Sequence, residues 1–508
     1  MNETDPVAQR KKKLEEIIQK GFDPYPHKYD YTHTITAVVQ EFSSKSHEEL
    51  ESSPVNVSVC GRLIALRGHG KAAFGHLTDG EAKVQIYIKK DKVGDRLFEL
   101  YQLLDVGDIL GVAGQIFRTR TGELTIFIAE LELLAKSLLP LPEKWHGLTD
   151  TEARYRQRYV DLIANPEVRE IFKRRAEIVR EIRSFFDARG YVEVETPMMQ
   201  VMAGGATARP FQTFHKALGI PLYLRIAPEL FLKRLTVGGF PRVYEINRNF
   251  RNEGISTMHN PEFTMLEFYQ AYSNYRDLMD LSEELLTRVA ERVAGSRQIQ
   301  YQGTVIDFGR WQRFALYESI LHFWNRTSAR PDLPDLKDPE KLRSLLEHNN
   351  IAYLRSMGQG AMLGQLFEAV VEDQLIQPTI IYDYPVELSP LSKTRDDDPS
   401  LAERFELFVG GMEIANAYSE LNDPQEQRRR FEEQLRKKAA GDDEAHGMDE
   451  DYIRALSYGM PPTAGEGIGI DRLAMILTNT RSIREVILFP HLRPERSEDD
   501  SPDSGDSS

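Results

Sequence analysis

The chain has 508 residues, 41% of them apolar and 28% charged, enough for several packed domains without disulfide support. Its one cysteine, Cys60, excludes a disulfide framework and any metal centre built on several thiolates. The formal charge of −15 argues against nonspecific coating of nucleic acid, while a local basic patch stays open.

Met1-Asn2-Glu3-Thr4-Asp5 is followed by no apolar run, and no stretch of about 18 apolar residues occurs later, so neither a signal peptide nor a membrane span is expected and the cytoplasm is the expected location. Residues 1–50 read as a helical extension. Lys11-Lys12-Lys13 precede Leu14, Ile17 and Ile18, which predicts an amphipathic helix with a basic start. A solvated helix and an RNA-touching one both fit that pattern.

Residues 51–138 read as β. Val55, Val57, Val59, then Val84, Ile86, Ile88, then Leu124, Ile126, Ile128 alternate, with turns at Gly80, Gly107 and Gly122. A five-stranded barrel of the OB type has this size. Lys83, Gln85, Tyr87 and Lys89 share one strand face, and Phe74 and His76 share a face of the preceding strand. Such a surface suits unstacked bases, and equally an ordinary solvated strand.

Residues 139–165, with Leu139-Pro140-Leu141-Pro142 and a charged run, read as a linker. The remainder, 166–496, mixes strands and helices. Asn165, Pro166 and Gly190 bound a helix whose apolar face is Val168, Ile171, Phe172, Val179, Ile182 and Phe186. Residues 276–294 read as helical, and about 330–376 as a helical insertion. The tail 497–508, SEDDSPDSGDSS, is expected to be disordered.

No phosphate loop is present, since Gly68-His69-Gly70-Lys71 lacks the upstream glycine and the following Ser/Thr. Residues 242–272 read strand, polar loop, strand. Asn247, Asn249, Arg251 and Glu253 share one face, and Phe263, Met265, Glu267 and Tyr269 another. Arg can neutralise phosphate and an aromatic ring can stack on a base. At 405–420, Gly410-Gly411 fits a two-residue hairpin turn, which sets residue 408 opposite 413 and Glu406 diagonal to Glu413. Two close carboxylates call for a proton or a cation, and beside a nucleotide Mg²⁺ fits. Simple alternation puts Asn416, Tyr418 and Glu420 on the opposite face from that pair. One common site therefore requires a β-bulge near Ile414-Ala415.

At these residues the sequence resembles the class II aminoacyl-tRNA synthetases. FRNE (250–253) with His259 and Phe263 is similar to their motif 2, GEGIGIDR (465–472) to motif 3, and GYVEVETP (190–197) to motif 1. The HIGH and KMSKS signatures of class I are absent. A barrel before the core is similar to the subgroup for lysine, aspartate and asparagine. RIAPEL (225–230), NRNFRNEGIS (247–256), HNPEFTMLE (259–267) and GGMEIANAYSELND (410–423) resemble its lysine-specific branch.

The resemblance implies an α+β protein: an N-terminal OB-fold barrel followed by an antiparallel catalytic sheet flanked by helices. It also implies a homodimer with Pro197 at the interface. The implied activity uses ATP as substrate and Mg²⁺ to convert L-lysine to lysyl-adenylate, then esterifies tRNA(Lys). By resemblance, Arg251 contacts the α-phosphate and the amino-acid carboxylate, and Arg472 the γ-phosphate. Glu253, His259 and Phe263 position ATP, and Glu406 and Glu413 hold Mg²⁺. Gly205, Glu229 and Glu267 receive the α-amino group, Asn416 the carboxylate, and Tyr269 and Glu420 the ε-ammonium, with Tyr418 alongside. Arg67, Phe74, Gln85 and Glu123 match anticodon contacts. The sequence departs from the family pattern at Met258, Ala417 and Tyr418, and the last two are read as tolerable changes. The competing readings are an aspartate- or asparagine-specific sister enzyme, a paralogue passing lysine to a protein or lipid, and a noncatalytic RNA-binding or regulatory protein.

Overall fold

The computed structural model describes residues 5–142, 148–202, 204–205, 208–326, 328–355, 357–439 and 447–495; the predicted tail lies outside them. The chain divides into two compact units, 1–169 and 170–508.

The first unit opens with α1 (Pro6–Gln19), α2 (Ile35–Phe42) and α3 (His47–Ser52). Ile17 is buried but Ile18 is 53% exposed, so the apolar stripe of α1 is narrower than its sequence suggests. Part of its basic start is structural: Lys13 pairs with Asp105 at 2.7 Å, and Arg10 donates to the carbonyls of Val106 and Ser137. Five strands follow: β1 (Asn56–His69), β2 (Ala72–Thr78), β3 (Lys83–Lys89), and, after α4 (Lys90–Leu103), β4 (Ile109–Arg118) and β5 (Leu124–Ala135). They close into a barrel in the order β1-β2-β3-β5-β4. The helix α4 interrupts a stretch read from sequence as wholly β. Phe98, Leu100 and Tyr101 bury it against the barrel core. The alternating valines and isoleucines fill that core, and Gly80, Gly107 and Gly122 all take positive φ at the turns.

The expected linker is helical over α5 (Thr151–Arg156) and α6 (Arg158–Ala164). Asp150 and Glu152 are exposed, but Arg158 and Asp161 turn inward. Asp161 is buried and accepts from Arg158 at 2.6 Å, Arg154 at 2.9 Å and Asn165 at 2.7 Å. A charged run thus became structure through an internal ion-pair network, which composition alone does not distinguish from a solvated link.

The second unit carries most of α7 (Pro166–Asp187), then β6 (Val192–Glu193) and a small sheet of β7 (Met199–Gln200), β8 (Gln212–His215) and β9 (Ile220–Leu224). Next come α8 (Glu229–Val237), β10 (Arg242–Phe250), β11 (Glu262–Ala271), α9 (Tyr275–Ala294), the ribbon β12 (Gln298–Tyr301) and β13 (Thr304–Asp307), and β14 (Gln312–Ala315). Four helices, α10 (Leu316–His322), α11 (Leu333–Lys337), α12 (Pro339–His348) and α13 (Gln359–Val370), share an apolar core of their own. The chain then forms β15 (Thr379–Pro385), β16 (Leu401–Val409), β17 (Met412–Ser419), α14 (Pro424–Ala439), α15 (Glu450–Ser457), β18 (Thr463–Gly469) and α16 (Ile470–Thr478).

Eight strands make the main sheet in the order β14-β15-β16-β17-β18-β11-β10-β6. Only its two outer pairs, β14/β15 and β10/β6, are parallel. One face is covered by α7, α9 and α16. Ile178, Ile182, Phe185 and Phe186 of α7 meet Leu266 and Phe268 of β11 and Leu407 of β16 in one apolar cluster. The other face holds the polar cavity described next.

Two details of the sheet set that cavity. Gly410 and Gly411 turn β16 into β17 with φ of 65° and 72°, as a primed two-residue hairpin requires. Beyond the turn the register shifts. Phe408 pairs with Glu413, but Leu407 pairs with Ala415 and Glu406 with Asn416. Ile414 is the extra residue, and Ile414 and Ala415 both enter the helix-covered core. The bulge that a common site demands is therefore present. It brings Glu406, Glu413, Asn416 and Tyr418 to one face. Ala417 turns into the core, away from the cavity.

Candidate active site

A cavity of about 350 Å³ opens on the uncovered face of the sheet. β10 ends at Phe250, so Arg251 and Glu253 lie in the loop beyond it rather than on the strand, as the sequence had suggested. The Arg251 N–H still donates to the carbonyl of Pro261 at 2.9 Å, which keeps its side chain beside β11. The floor is the alternate residues of β18, Gly465, Gly467 and Gly469. A Cβ on Gly465 would lie 2.3 Å from the Tyr269 ring and 2.4 Å from Glu420, so only glycine admits both side chains.

One half of the cavity is acidic. Glu229 comes from the first turn of α8, Glu267 and Tyr269 from β11, Tyr418 from β17, and Glu420 from the residue after Ser419. All three glutamates are buried. Tyr418 donates to Glu229 at 2.6 Å. Gly205, at φ 92°, packs so close that a Cβ there would meet Glu229 Cβ at 3.0 Å. Burial, then the Glu229 and Glu245 charges, push Glu267 up to about 8. A residue absent from the sequence reading completes this half. The Lys233 ammonium, fully buried, pairs with Glu229 at 2.5 Å and with Glu420. Lys233 stands four residues after Glu229 on α8, a spacing that would have exposed the pair, although not the third partner.

The other half is built for an anion. Arg251 is partly buried, its guanidinium lies 5.1 Å from the Phe263 ring centroid, and its Nε has no hydrogen-bond partner among the described residues. Arg472 of α16 donates to the carbonyl of Glu413 at 2.7 Å and lies 3.2 Å from His259 Nε2. Burial and the Arg472 charge lower the His259 pKa and keep its ring neutral. Nε2 can then accept from Arg472 while Nδ1 donates to Ser256 Oγ at 3.0 Å. Glu253 and Met258 also line this half.

Glu406 and Glu413 lie at its far side. Glu406 accepts from the Tyr384 hydroxyl at 2.7 Å and from Arg404, and Arg404 Nε also donates to Asn416 at 3.0 Å. Alternation along β16 puts Arg404 on the Glu406 face, a signal available in sequence. Glu372, at the end of the helical segment, was not legible there. Burial and the Glu413, Glu368 and Glu406 charges push it up to about 7. Glu406 is raised as well, by burial with Glu413 against the pull of Arg404. This excess of negative charge fits a divalent cation. Among the described residues no group of three metal ligands converges, so two carboxylates would share the ion with substrate oxygens, as Mg²⁺ does.

In the barrel, Arg67 and Phe74 are cross-strand partners, and Phe74 stacks on Tyr87 at 4.5 Å. Glu123 accepts from Gln85 at 2.7 Å and lies 2.9 Å from His76 Nε2. Phe117 and Phe127 extend the aromatic surface beyond the residues singled out from sequence. Pro197 lies in neither site. It is exposed among Met198, Met199, Val201 and Phe214, all exposed apolar residues.

An antiparallel-rich sheet with helices on one face and this cavity on the other defines a class of protein. Residues 150–493 match the family of class II tRNA synthetases (D, K and N), and residues 57–134 match the OB-fold nucleic acid binding domain. Over 489 residues the chain is 54% identical to a lysine–tRNA ligase of Carboxydothermus hydrogenoformans, covering 96% of this chain and 98% of the relative. It is 54% identical over 488 residues to the lysine–tRNA ligase of Pelotomaculum thermopropionicum, covering 96% and 94%. It is 49% identical over 495 residues to that of Bacillus mycoides, covering 96% and 97%. The chain belongs to the class II tRNA synthetases and, within them, to the lysine–tRNA ligase family.

Proposed function

We propose that the chain activates L-lysine with ATP and transfers the lysyl group to the 3′ end of tRNA(Lys). The carrying observation is the set of three buried glutamates, Glu229, Glu267 and Glu420, in the cavity that also holds Arg251. Lysine brings two ammonium groups and one carboxylate, which this charge distribution complements. An aspartate pocket would need a cation where Glu420 stands, and a neutral side chain would leave buried carboxylates unpaired.

The lysine carboxylate is a nucleophile without help from a base. Its oxygen bonds to the α-phosphorus as the bond to the β-phosphate oxygen breaks, giving lysyl-adenylate and pyrophosphate. The difficulty is anion meeting anion. The Arg251 charge interacts with Glu253 and Glu413 on one side and with Glu267 on the other, so it can neutralise both the carboxylate and the α-phosphate. Arg472, oriented by His259 and Glu413, would hold the γ-phosphate, with Phe263 stacked on adenine and Glu253 beside it. Glu406 and Glu413 would hold Mg²⁺, which when bound supplies further neutralisation of phosphate charge. Asn416, fixed by Arg404, would orient the amino-acid carboxylate, and Tyr269 with Glu420 the ε-ammonium.

The aromatic barrel face supports anticodon binding through Arg67, Phe74, Gln85 and Glu123. The exposed apolar surface around Pro197 supports a homodimer. Among the described residues no helix is long and apolar enough to cross a membrane, and we assign the activity to the cytoplasm. ATP–pyrophosphate exchange with lysine, aspartate and asparagine in turn, without tRNA, tests the reading. Exchange with lysine alone is expected; exchange with aspartate or asparagine, or with none of the three, overturns it.

A further inference from the structure

A cation inside a pocket for a cationic substrate needs an explanation. Lys233 is wholly buried, lies 5.3 Å from the Tyr418 ring centroid, and bridges Glu229 to Glu420 Oε2. The second oxygen, Glu420 Oε1, is buried, has no hydrogen-bond partner among the described residues, and packs with Tyr269 over Gly465. Lys233 thus occupies one oxygen of Glu420 and leaves the other without a partner in the cavity wall.

The groups facing this point come from four elements: Glu229 and Lys233 from α8, Glu267 and Tyr269 from β11, Tyr418 and Glu420 from β17 and the residue after it, and Tyr452 from α15. Three carboxylates and three phenols share the space with one ammonium. Burial works against the Lys233 charge, but Glu229 and Glu420 outweigh it and its pKa is raised. Burial likewise pushes Glu420 up, while Lys233 pulls the other way. Two effects therefore compete. The ammonium repels a second ammonium, but without it like-charged carboxylates in a closed space cannot all ionise, and a protonated acid holds an ammonium poorly. With contact pairs to two carboxylates, the second effect dominates.

We propose that Lys233 is a positioning residue for amino-acid binding, bridging Glu229 and Glu420 so that the second oxygen of Glu420 is held for the substrate ε-ammonium. This rests on lysine being the substrate.

The test is the KM for lysine and for ATP in ATP–pyrophosphate exchange by Lys233→Gln and Lys233→Met, from about pH 6.5 to about pH 9. At neutral pH the lysine KM should rise about tenfold or more in both variants, with the ATP KM within about twofold. The variants' lysine KM should fall toward alkaline pH more steeply than that of the wild type, as Glu420 regains its charge. Glutamine keeps a hydrogen-bond donor and guards against loss of folding in the methionine variant. A folded variant whose lysine KM is unchanged, or whose lysine and ATP KM rise together, overturns the inference. Failure of both variants to fold would assign Lys233 to the scaffold and overturn it too. Absence of lysine-dependent exchange in the wild type would instead overturn the proposed function.

Discussion

Glu406 and Asn416 face each other across the β16–β17 ladder, and Arg404 binds both, Asn416 at 3.0 Å through Nε and Glu406 through its terminal nitrogen. The pairing exists because Ile414 is bulged out between them and the hairpin turn. One planar guanidinium thus ties a candidate metal ligand to a candidate carboxylate-orienting amide.

Arg404→Lys keeps the charge and loses the fork. A lysine can reach one of the two partners, so either Glu406 or Asn416 is released. Exchange kcat should drop about 10- to 100-fold, and the Mg²⁺ concentration for half-maximal rate should rise. Magnesium titrations of the exchange rate check both.

Lysine binding should release a proton at neutral pH. Glu267, at about 8 in the empty cavity, is mostly protonated at pH 7, and an ammonium ligand favours its charged form. Affinity therefore rises with pH toward about 8. Calorimetry in two buffers of different ionisation enthalpy should give close to one proton released at about pH 7. Glu267→Gln should abolish the release.

Glu466 faces the helix-covered side of the sheet, accepts from Ser282 of α9 at 2.5 Å, and is pushed up to about 8 by burial. A carboxyl raised in the folded state costs nothing below its unfolded pKa. The cost grows as pH rises between the two values and is complete above about 8. At full ionisation it is on the order of 5 kcal/mol. Glu466→Gln should accordingly flatten the loss of Tm between about pH 5 and about pH 9. Denaturation curves across that range measure it.

Phe74→Ala removes one ring of the stacked pair with Tyr87. Stacking on a base is worth about 1–3 kcal/mol, so the tRNA KM in aminoacylation should rise roughly 5- to 100-fold. Exchange without tRNA should change far less. Parallel assays of the two reactions separate the barrel's contribution from the cavity's.

Local patterns were the legible part of this protein. Alternation in Val84, Ile86 and Ile88 and in Phe263, Met265, Glu267 and Tyr269 marked strand faces, because side-chain direction in a strand depends only on the neighbouring residues. Gly410-Gly411 marked a hairpin for the same reason, and even the bulge at Ile414 followed from asking two sets of residues to serve one face. The long motifs carried the family.

What remained hidden was every relationship across the fold. Lys233 and Glu420 are distant in sequence and meet because β18 lies between β17 and β11, which brings the end of β17 over α8. Asp161 gathers three donors in a segment that composition marked as a linker. Glu372 reaches Glu406 and Glu413 only once the helical segment packs beside β16. Residue chemistry and local period are properties of a few neighbouring positions, and the sequence by itself determined them. Strand order, burial and the meeting of charges belong to the whole chain, and only the tertiary structure decided those.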